Sequence, residues 1–503
     1  MGTLNRLYRH SLVLLTDLYE LTMAYGYWRS GTHTREAVFH HHFRKPPFGS
    51  GFTIACGLAH AIEMIEGLCF DDDDLAYIAG LQGNDGKPLF DGEFLDLLRD
   101  LRFECDVDAV PEGTVVFPHE PLIRVRGPIL QAQILESALL NIVNFQTLIA
   151  TKAARVCLAA QGDTVLEFGL RRAQGIDGAL AASRAAYVGG CHGTSNVLAG
   201  KLFGIPVGGT HAHSWVLAFD SELESFEAYA RALPNNCVFL VDTYDTLNGV
   251  RNAVRVGRWL REQGREMVGV RLDSGDLAYL SKESRKILDE GGFPEARIFA
   301  SSELDEHVIE SLKLQGAKIA VWGVGTNLVT AKDDPALGGV YKLTAVRDAA
   351  NAADGDAPWQ YKVKLSEQAV KISTPGILQV RRFSSGSELM ADMIFDEELG
   401  APAAPTIVDP ADLTRRKEIP AGTEHEDLLV PVFRQGRRVY DPPPLSEVRK
   451  RTAEQLQGFH GGVKRFVNPH RYPVGLERGL FDLKTRLILQ ARGLETAKPE
   501  EAR

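Results

Sequence analysis

The feature that most constrains the fold is a rhythm in the middle of the chain. Short apolar runs of β type end in glycine or polar residues at Glu167-Phe168-Gly169, Val207-Gly208-Gly209, Leu240-Val241-Asp242, Val270-Arg271-Leu272-Asp273, Phe299-Ala300-Ser301-Ser302 and Ala320-Val321-Trp322-Gly323. Between them lie helical patterns, including 247–263, 277–290 and 305–315. Strands alternating with helices at intervals of roughly 20 to 40 residues predict βα units and a parallel sheet. When such units close into a barrel, chemistry gathers at the C-terminal ends of the strands. The glycines and charged residues of this chain stand there.

The flanks follow other patterns. Residues 12–30 predict a helix with Thr16-Asp17 near its start, and 37–43 and 52–55 predict strands around a Pro/Gly-rich turn. Asp71 to Asp74 predict a solvated helix N-terminus, where carboxylates suit the dipole. Beyond about residue 345 the pattern loosens: 349–358 reads as a polar loop, 361–365 and 377–383 as strands, 400–405 as a linker-like run and 497–503 as a charged, frayed tail.

Composition bounds the function. With 503 residues the chain has room for two or three domains, and 44% hydrophobic with 24% charged residues is ordinary for a globular protein. The net charge of −10 argues against nucleic acid as a partner. Six cysteines stand singly, without a C-x-x-C pair, which predicts free thiols in a reducing cytosol. Residues 1–10 are polar and carry no signal-peptide core, and no apolar run reaches about 18 residues, so no membrane span is expected.

Several motifs carry chemistry. Gly208-Gly209-Thr210-His211-Ala212-His213-Ser214 follows the apolar run 202–207, read as strand-like. On a strand, residues two apart share a side, so His211 and His213 would face one site. They could bind a metal, move protons or accept a phosphoryl group. Arg271-Leu272-Asp273-Ser274-Gly275-Asp276 presents a guanidinium and a carboxylate to one pocket; the plainer reading is a structural ion pair. Gly323-Val324-Gly325-Thr326 lets backbone N–H groups approach an anion, or simply makes a tight turn. Glu167-Phe168-Gly169-Leu170-Arg171-Arg172 sets an aromatic and basic residues at another strand end, with Phe168 equally suited to the core. In Asp242-Thr243-Tyr244-Asp245, one carboxylate could orient an imidazole. His40-His41-His42 suggests a metal cluster, but alternation sends the middle ring to the opposite face, so an ordinary exposed or half-buried strand is expected. No Walker loop and no full G-x-G-x-x-G is present.

These residues resemble those of the nicotinate phosphoribosyltransferase family. Leu15-Thr16-Asp17-Leu18-Tyr19-Glu20-Leu21-Thr22-Met23 is similar to its N-terminal signature, as is Phe43-Arg44-Lys45-Pro46-Pro47-Phe48-Gly49. Residues 144–155, 167–175, 271–276 and 338–343 are similar again, and the likeness runs from about 12 to 385. The resemblance implies an irregular α/β barrel of the type II phosphoribosyltransferase class with a second, smaller α/β domain. It implies an ATP-coupled, ligase-type enzyme that joins nicotinate to 5-phosphoribosyl-1-diphosphate, with Mg²⁺ entering on the diphosphate and ATP rather than in a protein cage. A cytoplasmic homodimer with shared active sites is implied as well. With the rhythm above, this divides the chain into an N-terminal domain over 1–125, completed by about 340–400, a barrel over 126–340 and a C-terminal extension over 400–503.

Carried over residue by residue, the resemblance makes His213 the phosphorylated histidine and Asp242 its acid partner. Phe168 and Tyr19 would sandwich the pyridine ring, Tyr19 across the dimer. Arg271 would face the nicotinate carboxylate with Thr210 nearby. Asp273 would hold ribose hydroxyls, and Arg171, Gly323, Gly325 and Thr326 phosphates. Related nicotinamide-using enzymes place an aspartate after Gly-Thr, where this chain reads Gly193-Thr194-Ser195. An aspartate there would repel a carboxylate and Ser195 can donate to it, so the acid is the expected substrate. His211 stands where the family often has an apolar residue and is left without a role. Two other classes compete: a metal-dependent barrel hydrolase using His211, His213 and Asp273, and a non-catalytic nucleotide-binding or scaffold protein.

Overall fold

A computed structural model describes residues 11–348, 357–368, 371–412 and 414–494. The expectations for 1–10 and 497–503, and for most of the 349–358 loop, fall outside the described residues. The chain forms two compact units: Met1–Phe145, Leu337–Pro443 and Glu454–Arg503 in the first, Gln146–Ala336 and Pro444–Ala453 in the second. The boundaries expected from sequence fell at 125, 340 and 400. The chain returns to the first unit near 340, within the expected completion over 340–400. The observed division differs in that the first unit runs on to Phe145 and takes in 400–443 and 454–503, where 430–438 adds strands to the N-terminal sheet, while 444–453 joins the second unit.

The second unit carries the predicted βα rhythm. Its sheet runs in the order Gly193–Thr194, Thr164–Glu167, Val321–Val324, Arg297–Ala300, Gly269–Leu272, Val238–Leu240, and every pair is parallel. Val207 adds a parallel bridge to Thr194 at one edge. In chain order the strands therefore go round a ring, with the last, Val321–Val324, paired back onto the first. The ladder is interrupted only between Val207 and Val238. There the His211 ring takes the place of a strand: its Nε2 accepts a hydrogen bond from the Leu240 N–H at 3.2 Å. Val238–Leu240 and Val321–Val324 are buried throughout, as expected for parallel strands covered on both faces.

The helices follow as read: Thr246–Glu262, Leu277–Glu290 and Glu306–Leu314. Asp245, Asp276 and Asp305 cap them, each side chain accepting a first-turn backbone N–H. Two acids of the sequence motifs are thus helix caps. The run 202–207 is not a strand: Val197–Phe203 is helical, and of the remainder only Val207 forms a bridge. An αL glycine, Gly204 at φ 67°, ends that helix.

The first unit contains a seven-stranded antiparallel sheet in which Glu36–Phe43 lies between Gly339–Arg347 and Ile123–Pro128. That central position corrects the reading of His40 and His41 as exposed or half-buried, since both are fully buried, while His42 is half-buried as expected. The sheet supplies their partners. His40 Nδ1 bonds Thr344 Oγ1 at 3.0 Å and its Nε2 accepts from the Leu378 N–H at 3.2 Å, while His41 Nε2 bonds Asn144 Oδ1 at 2.9 Å. A second, six-stranded sheet is built from 378–477. The linker-like run 400–405 merely joins two of its strands, and of 361–365 only Tyr361 lies in a strand, Gln360–Tyr361. The Leu18–Arg29 helix starts at Asp17, and Asp71 with Asp74 forms a capping box at Asp72–Ala79. One described helical stretch, Ile129–Ala160, is long and apolar enough to cross a bilayer, and 61% of its most apolar window is buried inside the protein.

Candidate active site

The site forms where the barrel strands end. Asp242 follows the Val238–Leu240 strand with its side chain 1% exposed, and its Oδ1 meets His213 Nε2 at 3.2 Å. Its Oδ2 accepts from Ser274 Oγ at 2.6 Å and from the Asp273 N–H at 3.1 Å. One carboxylate therefore ties the histidine to the turn after the neighbouring strand. His213 is the first residue of the His213–Leu217 helix, with its ring 40% exposed. An ionised carboxylate only accepts hydrogen bonds, so Nε2 carries the proton and Nδ1 the free lone pair.

Arg271 and Asp273 share one side of their strand end, as the spacing predicts. Arg271 Nη2 donates to Asp273 Oδ1, Nε to Ser301 Oγ and Nη1 to Thr210 Oγ1, all at 2.8 Å. Ser301 Oγ donates to Asp273 as well. Burial alone would raise the Asp273 carboxyl; the hydrogen bonds from Ser301 and Arg271, with the Arg271 charge, outweigh it and hold Asp273 below the ordinary carboxylate value. The guanidinium is thus fixed in plane by three neighbours and half-buried, which preorganises it for a flat anion.

Phe168 and the Gly-x-Gly turn form a third element. A Cβ on Gly323 would lie 2.5 Å from Phe168 Cδ2, and one on Gly325 would lie 3.2 Å from the Phe168 carbonyl oxygen. Both glycines therefore make room for Phe168, whose N–H donates to the Val324 carbonyl at 2.8 Å. This is a use the sequence did not assign them. Gly325 precedes the short Thr326–Val329 helix. Beneath Phe168 the buried Glu167 accepts from Ser183 Oγ at 2.8 Å and Thr194 Oγ1 at 2.6 Å, and from the Gly169 N–H. Ser195, half-buried, is held by its N–H to the Glu167 carbonyl at 2.9 Å. Arg171 is exposed in the Leu170–Arg172 turn. Tyr19 belongs to the first unit and is 45% exposed. Burial, with Glu136, Glu20 and Asp17, pushes its phenol up to about 12.

The histidine pair is split. His211 is 8% exposed, its ring 4.9 Å from Tyr229 and 6.0 Å from Phe226, on the barrel seam. Burial pushes its imidazole down to about 4, so Nε2 is free to accept from Leu240. His213 faces Asp242. The two rings are not co-ligands, because the chain turns into a helix at His213 rather than continuing as a strand. Among the described residues no group of three or more His, Cys, Asp or Glu is placed to hold a metal. Sequence reading missed Ser274, Ser301 and the Glu167–Ser183–Thr194 network. Position at a strand end was the available signal for Ser301; Ser183, inside a helix, offered none.

Profiles of the nicotinate phosphoribosyltransferase N-terminal domain, family and C-terminal domain match residues 14–144, 164–354 and 379–484. A nicotinate phosphoribosyltransferase of Bacillus subtilis is 42% identical over 98% of both chains, and one of Homo sapiens is 35% identical over 93% of this chain and 95% of its own. The crystal structure of human nicotinic acid phosphoribosyltransferase superposes with a TM-score of 0.81 at 32% identity, covering 94% of this chain and 99% of that one. A likeness that spans both units and holds in sequence and in fold leaves one conclusion: this chain belongs to the nicotinate phosphoribosyltransferase family.

Proposed function

We propose that the protein joins nicotinate to 5-phosphoribosyl-1-diphosphate, giving nicotinate mononucleotide and diphosphate, and couples this to ATP through a phosphohistidine at His213. The observation that carries the reading is the Asp242 carboxylate, buried and bonded at once to His213 and to the turn of the Arg271–Asp273 pair. His213 Nδ1 attacks the γ-phosphorus of ATP. The N–P bond forms, the bond to the β–γ bridging oxygen breaks and ADP leaves. Asp242 stabilises the positive charge that builds on the ring. The added phosphoryl group brings nearly two negative charges to the mouth of the site and organises its donors around the diphosphate. Water later takes the phosphoryl group, releasing phosphate.

In the transfer itself the ribose C1–O bond to diphosphate breaks and the pyridine nitrogen bonds C1. Positioning and electrostatics dominate such a displacement. Arg271, preset by Thr210, Ser301 and Asp273, takes the nicotinate carboxylate, and Ser195 donates to it. Phe168 supports one face of the ring and Tyr19 of a second copy the other. Asp273 accepts from ribose hydroxyls; Arg171, Thr326 and the backbone at Gly323 and Gly325 take phosphates. Asp242 and Asp273 are already engaged by protein donors, so these residues do not form a resident cage for Mg²⁺; the ion would enter with diphosphate and ATP. The exposed apolar run Leu15, Leu18, Tyr19 and Met23 supports a homodimer with shared sites. Chromatographic detection of nicotinate mononucleotide from nicotinate and 5-phosphoribosyl-1-diphosphate tests the reaction. Product is expected with nicotinate, faster with ATP; product from nicotinamide instead would refute the acid preference.

A further inference from the structure

The first unit contains a cavity of about 530 Å³ that none of the residues assigned above lines. It lies between the turn after the Glu36–Phe43 strand, the Val474–Glu477 strand and the Arg478–Ala491 helix. Most of its wall is apolar. Phe117 and Tyr472 stack with ring centroids 4.5 Å apart, and Ile394 and Leu476 are almost fully buried.

Three cations are set in these walls, Arg44, Arg471 and Lys484, against a single carboxylate among the described lining residues, Asp409. Arg471 uses that carboxylate, at 3.1 Å. Lys484 Nζ donates to Thr374 Oγ1 at 3.1 Å, and among the described residues neither Lys484 nor Arg44 has a carboxylate partner. The His119 imidazole lines the same cavity; burial, with the Lys484, Arg44 and Arg471 charges, pushes it down to about 4, with Asp409 opposing, so it adds no charge. His119 holds a left-handed backbone at φ 72°, which a non-glycine residue adopts only where its surroundings impose it.

Partly buried cations without counter-ions are costly unless something pairs with them. A ligand with two negative charges at one end would satisfy Lys484 and Arg44, and an apolar body would fill the space between Phe117, Tyr472 and Ile394. We infer that this cavity is a second ligand site, built from first-unit residues alone, which takes an organic phosphate monoester with a planar or apolar body. The phosphate lies between Lys484 and Arg44, and the body lies along the Phe117–Tyr472 wall.

Calorimetric titration with phenyl phosphate tests this on the full chain. Saturable binding with a Kd below about 1 mM is expected, with inorganic phosphate weaker by about tenfold because it lacks the body. Lys484→Met should weaken phenyl phosphate by about tenfold or more. Ala411→Trp, at an exposed position on the cavity wall, should block it without touching a charge. Arg271→Ala, in the barrel, should leave it unchanged. The inference is overturned if no saturable binding occurs. It is equally overturned if both Lys484→Met and Ala411→Trp bind as tightly as the wild type, or if binding disappears in Arg271→Ala and persists in Lys484→Met.

Discussion

At the residue scale the chemistry turns on how Asp242 divides its two oxygens. One fixes the His213 tautomer and the other fixes the turn that carries Asp273. Asp242→Asn removes the negative charge that holds Nε2–H and that, in the proposed reaction, stabilises the phosphorylated ring. ATP-stimulated turnover should fall by about a hundredfold or more, while ATP-independent turnover changes far less; steady-state rates with and without ATP check this. Ser195→Asp places a carboxylate where Ser195 is proposed to meet the substrate's own. The nicotinate KM should rise by about tenfold or more, equivalent to about 1.4 kcal/mol, and an unchanged KM would remove Ser195 from the site. Most of these residues were legible from position at strand ends. The use of Asp245 and Asp276 was not, because an acid that caps a helix and an acid that serves a reaction look alike in sequence.

At the element scale the barrel is the product of the βα rhythm, and its weak point is the seam at His211. A side-chain nitrogen there replaces a strand's carbonyl. His211→Leu would leave the buried Leu240 N–H without an acceptor, at a cost of about 1–3 kcal/mol, and release the segment carrying Thr210 and His213. A lower Tm together with a reduced kcat is expected, with partial recovery in His211→Gln, which retains an acceptor. The seam was hidden because two histidines two apart read as one pair on a strand; the helix starting at His213 separates them. Gly323→Ala tests the neighbouring element. Its methyl group would meet the Phe168 ring, so the nicotinate KM should rise while ATP hydrolysis without nicotinate is kept.

At the scale of the whole molecule, buried neutral histidines couple stability to pH. Burial pushes His41, His119 and His211 down to about 4, and His40 and His42 well below the ordinary value. In the unfolded chain they titrate near 6.5. Between those values the unfolded state binds more protons, so stability is intact above about pH 6.5 and falls as pH drops toward 4. Thermal melts from pH 7.5 to 5 should show a Tm that declines below about 6.5. The raised carboxyls of Glu20, Glu136 and Glu222 act in the opposite sense from 4.5 up to their raised values, which overlaps the lower part of the histidine range. Here the sequence was least informative. Parallel strands declare themselves locally, but the sheet of the first unit gathers residues from 36 to 438. Only that distant pairing buries His40 and His41.

The most direct measurement is labelling with γ-³²P ATP followed by mapping of the phosphopeptide. An acid-labile label on His213 is expected, discharged when nicotinate and 5-phosphoribosyl-1-diphosphate are added and absent in His213→Ala. A label on another residue, or full ATP stimulation of nicotinate mononucleotide formation by His213→Ala, would contradict it.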